Sequence, residues 1–326
     1  MTTSFTPPLL LRNAHIQTIL TSLRLRKILA GARASALLAA GREHILDCGD
    51  GVRLLGSYSS KNGPRLGLVT LIHGWEGGID SSYILSAGAM FFRHGFDVFR
   101  LNLRDHGNSH GLNRKLFNST RLTEVSNAVA EIHRLFPHDR TFLAGFSLGG
   151  NFALRLGLKA PAAGIQLTGI GVVCPLINPV EATRNLEANH PLYHRYFVKK
   201  WQKSLRKKLM LFPDLGYGDS LLRLKSLSAM HDYFVPRHTG YHTADEYLSA
   251  YRLTGEMLAE MTPPTHIIAA DDDPITSKKE LDSLGNPPLL TFTRTTFGGH
   301  CGYLKDLRLN SWADDHLLQV FRQLAV

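Results

Sequence analysis

Cysteine is scarce in this sequence: Cys48, Cys174 and Cys301 are the whole complement, odd in number, far apart and without any C-x-x-C spacing. Neither a disulfide framework nor a zinc knot organises such a chain, and a reducing compartment suits it best. Long apolar runs are also missing. The most apolar early stretch, Ile28 to Ala40, is interrupted by Arg33 and falls short of the roughly 20 residues a spanning helix needs. The opening MTTSFTPPLLLRN puts prolines and polar residues where a secretory signal requires a basic start and an apolar run. The expectation is a soluble, cytoplasmic protein. Acidic residues are outnumbered, 27 against 37 Lys and Arg, for a formal charge of +10. No nucleic-acid motif and no aromatic residues spaced along a basic strand accompany that charge, so no nucleic-acid partner is expected. An anionic membrane surface and a merely solvated basic surface both remain open.

What is present is enough for a sizeable core: 326 residues, 44% of them hydrophobic. Residues 1–43 mix prolines, basic residues (Arg24, Arg26, Lys27, Arg33) and short apolar stretches, and read as an extension packed on a core, with no catalytic pattern of its own. HILDCGDGVRLLGSYS, from His44 to Ser59, holds two extended segments about Asp50-Gly51, the chemistry of a tight hairpin turn. Strand-length apolar runs follow at Leu66–Ile72, Asp97–Leu103, Thr141–Gly145, Gly169–Cys174, His266–Ala270 and Leu289–Arg294. Helical patterns such as Ser82–Arg93 and Leu122–Leu135 lie between several of them. That alternation implies a mostly parallel, doubly wound α/β sheet with an antiparallel N-terminal hairpin. Residues 178–262 break the alternation and read as a helical lid inserted into a core made of 44–177 and 263–326.

The third run ends in Gly145-Phe146-Ser147-Leu148-Gly149-Gly150, followed at once by the helical pattern NFALRLGL. A strand, G-x-S-x-G and a helix demand a turn so tight that close neighbours lack side chains, which lifts the Ser147 hydroxyl above the sheet at a helix N-terminus. An ester-cleaving site also needs backbone N–H donors for the developing oxyanion. Leu148, after the nucleophile, and Trp75, in the loop His73-Gly74-Trp75-Glu76-Gly77-Gly78, are the candidates. That loop lacks the lysine and hydroxyl residue of a phosphate-binding P-loop.

A serine nucleophile needs a histidine base and an acid to orient it, and on such sheets the order along the chain is serine, acid, histidine. Of the 16 histidines, His300 in Phe297-Gly298-Gly299-His300-Cys301-Gly302 fits, because it follows the last strand-like run among glycines that let the loop approach the serine. His316 lies inside the amphipathic pattern DDHLLQVFRQL instead. The acid follows THIIAA, where Asp271, Asp272 and Asp273 compete. Asp273, directly before Pro274-Ile275, is preferred and Asp272 is the runner-up. The alternating ligands and late glutamate of a calcium loop are absent there.

In the inserted segment Tyr193, Phe197, Trp201, Leu205 and Leu209 recur every four residues among Lys199, Lys200, Lys203, Arg206, Lys207 and Lys208. This basic amphipathic helix reads first as a lid with an apolar stripe on the core and solvated lysines, with peripheral contact to an anionic membrane as the alternative. Pro236 and Gly240 among His231, His238 and His242 argue against a metal site, and no metal or cofactor is expected. His106 in Asp105-His106-Gly107 reads as shaping its loop.

Together, Asn13-Ala14-His15-Ile16-Gln17-Thr18, the HGWEGG loop, Arg104-Asp105-His106-Gly107-Asn108-Ser109, GFSLGGN, Gly240-Tyr241, Glu246-Tyr247, DDP and GGHCG make the chain resemble the YheT-like branch of the α/β-hydrolase superfamily, nearly end to end. The family motif carries proline where this chain has Ala14. The resemblance implies a serine hydrolase of the bacterial, cytoplasmic type acting on short-chain esters or acylglycerols, with no metal or organic cofactor. A thioesterase or acyltransferase using the same triad, or a catalytically silent lipid-binding module, are the alternatives. Nothing in the sequence fixes the oligomeric state.

Overall fold

The computed structural model describes residues 5–325, among which eight strands form one sheet. They are β1 (Gly41–Asp47), β2 (Arg53–Ser59), β3 (Gly67–Ile72), β4 (Phe96–Leu101), β5 (Thr141–Phe146), β6 (Gly169–Val173), β7 (Thr265–Ala270) and β8 (Leu290–Thr295). The order across the sheet is β1-β2-β4-β3-β5-β6-β7-β8. β2 runs antiparallel to β1 and β4, and every other pairing is parallel. This is the α/β-hydrolase architecture the motifs imply. The hairpin turns at Asp50 and Gly51, both left-handed (φ 51° and 71°), as the Asp-Gly pair requires.

Side chains alternate between the faces of each strand, so a central parallel strand must be apolar on both. In β3, Leu68 and Ile72 join one core while Val69 and Leu71 join the other. In β5, Leu143 opposes Phe142, Ala144 and Phe146 in the same way. Helices Leu122–Leu135 and Leu148–Lys159 cover the first face, and helices Ser82–Arg93 and Trp312–Leu324 the second. The chain leaves β3 for β4 on one side and then returns to β5 on the other. The loops after β3 and β5 therefore diverge, and a crevice opens at their carboxyl ends.

Before β1 stand the helices Ala14–Ser22, Arg24–Arg33 and Ser35–Ala39. The Asn13 side chain caps the first by accepting the N–H groups of His15 and Ile16. Ala14 is the first helical residue, a position that also suits proline. β1 already begins at Gly41, inside the stretch read as extension.

Between β6 and β7 the described residues form helices and no strand: Pro179–Asn189, Pro191–Leu211, Gly218–Leu222, Leu227–His238, Ala244–Ser249 and Gly255–Ala259, with a short 3-10 turn. Helix Pro191–Leu211 buries Val198, Trp201, Leu205 and also Lys208. Lys208 thus departs from the solvated lysines with which sequence grouped it. It falls on the inward stripe, three residues after Leu205, and its ammonium is satisfied there. Lys208 Nζ donates to Asp105 Oδ1 at 2.7 Å, to the His110 carbonyl at 3.0 Å and to the Asn113 carbonyl. Burial opposes both charges of this pair, so removing one partner strands the other. Lys208→Ala is expected to lower stability by about 3–5 kcal/mol. Lys203→Ala, on the exposed side of the same helix, costs at most about 0.5 kcal/mol, and thermal unfolding of the two variants checks the contrast.

Candidate active site

Ser147 sits between β5 and helix Leu148–Lys159 at φ 53°, ψ −120°. A non-glycine residue rarely adopts such a backbone, and the surroundings enforce it. The Ser147 N–H donates to the Val173 carbonyl at 3.0 Å, and its own carbonyl accepts from Asn151 and Leu176. A Cβ at Gly149 would lie 2.3 Å from the Ile72 carbonyl oxygen, and one at Gly145 would lie 2.3 Å from the Gly149 carbonyl oxygen. Both glycines are therefore steric requirements of the turn.

The loop after β8 brings His300 to the serine. Ser147 Oγ donates to His300 Nε2 at 2.8 Å, while His300 Nδ1–H donates to Asp273 at 2.9 Å (Oδ2) and 3.1 Å (Oδ1). Asp273 Oδ1 also accepts the backbone N–H groups of Ile275 (2.8 Å) and Thr276 (3.1 Å), the turn that Pro274 initiates. The other two aspartates are engaged elsewhere. Asp272 Oδ1 accepts the Gly299 N–H at 2.8 Å and so ties the histidine loop to the loop after β7. Asp271 pairs with Arg294 at the surface, 2.6 Å away. Burial opposes a charge on His300, but the attraction of the Asp273 carboxylate and of Cys301 outweighs it and pushes His300 up to about 9.

The loop after β3 packs directly on the serine, for a Cβ at Gly74 would lie 3.1 Å from Ser147 Cβ. The Tyr83 hydroxyl accepts the Gly74 N–H at 3.0 Å. His106 Nε2 accepts the Glu76 N–H at 3.0 Å, with its Nδ1–H on the Arg104 carbonyl. His73 repeats the arrangement, donating to the Gly74 carbonyl and accepting from the Leu103 N–H. Burial drives the two imidazoles down to about 4 and about 3, so each stays neutral and can accept. Among the described residues no acceptor of the chain takes the backbone N–H of Trp75 or Leu148, the two candidate oxyanion donors.

Sequence reasoning missed the part played by the N-terminal helices. Thr18 Oγ1 accepts the His300 N–H at 2.9 Å. Gln17, fully buried, donates to the carbonyls of Leu11 and Leu304 and accepts the Leu304 N–H. Gly299 and Gly302 make room for this helix rather than for the serine: a Cβ at Gly299 would lie 2.5 Å from the Ala14 carbonyl oxygen, and one at Gly302 would lie 2.7 Å from Gln17 Cβ. The signal available was the polar set Gln17, Thr18 and Thr21, one turn apart on a helix that also carries Ile16, Ile19 and Leu20. The cysteines also meet, since Cys301 N–H donates to Cys174 Sγ at 3.3 Å. Cys174, His300 and Cys301 offer ligand atoms within 4.8 Å of one another, but both ring nitrogens of His300 are taken by Asp273 and Ser147. His231, by contrast, lines a cavity, and among the described residues it gathers no cluster with His238 and His242.

Thr18→Val leaves the His300 N–H without its acceptor. A buried orphan donor costs about 1–3 kcal/mol, so the turnover rate is expected to fall about tenfold or more, with Thr18→Ser restoring most of it. Steady-state kinetics of the two variants decide the matter.

The crevice widens into a cavity of about 720 Å³ that reaches Ser147, Leu148, Trp75 and His300. Its walls are aromatic and aliphatic: Trp75 stacks on Phe197 at 5.4 Å and meets Trp201 edge-on at 5.5 Å, with Leu176 and Leu186 beyond. A family model for the alpha/beta hydrolase fold matches residues 67–306. The Escherichia coli (strain K12) protein named "Putative esterase YheT" is 24% identical over 90% of this chain and 84% of its own length. Phospholipase ABHD3 of Mus musculus is 23% identical over 73% of this chain, which spans only 59% of that relative. Of solved structures, the Pyrococcus furiosus esterase PF2001 shares the fold with a TM-score of 0.61 at 14% identity, over 88% of this chain and 91% of that one. The helices that frame the crevice, the eight-stranded sheet and the matched family model lead to one assignment: the chain belongs to the α/β hydrolase family and is an enzyme of its esterase and lipase type.

Proposed function

We propose that the protein cleaves carboxylic esters, short-chain esters or acylglycerols, through an acyl-enzyme formed on Ser147. The observation that carries this reading is the line of contacts from Ser147 Oγ to His300 Nε2 (2.8 Å) and from His300 Nδ1 to Asp273 (2.9 Å). His300 takes the proton as Ser147 attacks the ester carbonyl, and Asp273 stabilises the imidazolium that results. The N–H groups of Leu148 and Trp75 receive the oxyanion. The imidazolium returns its proton to the departing alcohol, and water, activated by the same base, releases the acid. A cavity of about 720 Å³ with apolar walls suits an acyl chain. In this reading the helices within residues 178–262 act as a lid on a core formed by 44–177 and 263–326.

Ser147→Ala is expected to abolish labelling by a fluorophosphonate probe and to lower turnover of p-nitrophenyl butyrate by about 10⁴-fold or more. Asp273→Asn costs about 10⁴-fold, whereas Asp272→Asn, which only loosens the histidine loop, costs about tenfold. Equal losses at the two aspartates would remove Asp273 from its role. The base works in its neutral form, and its attraction to Asp273 holds His300 charged up to about 9. The sign follows: kcat/KM rises with pH, about tenfold per unit well below that value, and levels above it. Removing the Asp273 charge moves the rising limb to lower pH while lowering the plateau, which a pH profile of Asp273→Asn measures.

A further inference from the structure

The first two N-terminal helices are turned inside out. In Ala14–Ser22 the buried residues are Gln17 and Thr21, and in Arg24–Arg33 they are Arg26 and Ala30. Most of the large apolar side chains face outward instead: Ile16 and Ile19 from the first, Leu25 (60% exposed) and Ile28 (59%) from the second, with Leu23 between them, while Leu20 and Leu29 pack on a small core with Leu11, Leu304 and Leu309. A helix on a water-soluble core does the reverse. The polar inward face has a purpose, because Gln17 and Thr18 hold the histidine loop and Arg26 lies in the field of buried Asp314. The apolar outward face has no partner among the described residues.

Charge is segregated to the same place. Residues 1–42 and 191–211 together hold 13 of the 37 Lys and Arg and not one of the 27 Asp and Glu, so the remaining chain carries 24 basic against 27 acidic residues; Arg26 and Lys208 are buried, which leaves eleven cations outside the core. The whole positive excess belongs to these two segments. They adjoin in space: His15 Nδ1 bonds the Tyr193 hydroxyl at 2.9 Å. Both reach the same cavity mouth, the N-terminal helices through Ile19, Leu23 and Lys27, and helix Pro191–Leu211 through Leu192 (74% exposed), Tyr196 and Lys200.

We propose that the outer face of the N-terminal helices, with the adjoining end of helix Pro191–Leu211, is a docking surface for an anionic lipid bilayer. Outward leucines and isoleucines flanked by cations are the chemistry of an interfacial helix, in which apolar side chains enter the acyl boundary and Lys and Arg meet the headgroups. A neutral bilayer would use only the first half of that chemistry, and a second copy of this chain would bring the same positive charge against itself. The cavity mouth lies within this face, so a docked molecule draws substrate from the bilayer; that consequence rests on the ester-hydrolase reading, the docking itself does not.

The test uses the full chain carrying Ser147→Ala, so that binding is read without catalysis. Co-sedimentation with phosphatidylcholine vesicles containing phosphatidylglycerol is expected to be at least about tenfold tighter than with phosphatidylcholine alone, and to weaken as salt rises. Adding Leu25→Ser with Ile28→Ser, exposed and outside the cavity, is expected to weaken vesicle binding by about tenfold or more. In the Ser147 background the same double substitution leaves the melting temperature and the hydrolysis of water-soluble p-nitrophenyl butyrate unchanged. Absence of vesicle binding, indifference to phosphatidylglycerol, or undiminished binding by the double variant overturns the proposal. So does a dimer in solution that the double variant dissociates, since a second copy would then cover the face. None of these outcomes touches the ester reading, which stands or falls on soluble-ester turnover.

Discussion

The left-handed backbone of Ser147 is the constraint around which the rest of the molecule is arranged. A serine at φ 53° is held there only because β3, β5 and β6 crowd the turn from three sides: Gly149 lies against the β3 carbonyls, Gly145 against Gly149, and the Ser147 N–H bonds to the end of β6. Those contacts exist only in a sheet where β5 is flanked by β3 and β6 in parallel register. The strand order also opens the crevice beside the serine. One topological fact thus supplies both the strained turn at Ser147 and the space beside its hydroxyl.

The sheet was largely legible in the sequence because its central strands are buried on both faces, which turns each into a short continuous apolar run bounded by loops. Helices Ser82–Arg93 and Leu122–Leu135 occur as the pattern predicts, since their apolar stripes meet one core each. The convergence of Ser147, His300 and Asp273 was legible for a different reason. The serine turn imposes a steric signature of glycines, and the acid loop a proline followed by the two N–H groups that Asp273 accepts. Chain order then removed most of the histidines.

What stayed hidden was the direction in which amphipathic elements face. Period gives the stripe of a helix but not which stripe turns inward, and the usual assumption that the apolar one does fails for Ala14–Ser22 and for Arg24–Arg33. For the same reason Lys208 could not be told from its solvated neighbours. Its burial is licensed by Asp105 and two carbonyls more than 90 residues away in sequence. Asp272 reads as a competitor of Asp273 in sequence and acts in space as an anchor for the histidine loop. Cys174 and Cys301, distant along the chain, meet beneath the histidine because β6 and the loop after β8 end at the same rim.

Each flank of the cavity mouth carries one buried cation, and the two are held differently. Arg26 is buried in the field of Asp314, whose Oδ2 accepts the Ser86 hydroxyl, while Lys208 pins the far end of helix Pro191–Leu211 to Asp105. Lifting either flank whole would expose a charge pair or strand a buried charge, at a cost of about 3–5 kcal/mol. The end of Pro191–Leu211 farthest from Lys208, where Leu192 and Tyr196 line the opening, meets the other flank through the His15–Tyr193 hydrogen bond and the His15–His190 ring contact. The histidine loop is tied separately, by Thr18, Gln17 and Asp272, so the position of His300 is set by the N-terminal helix and the loop after β7 rather than by helix Pro191–Leu211.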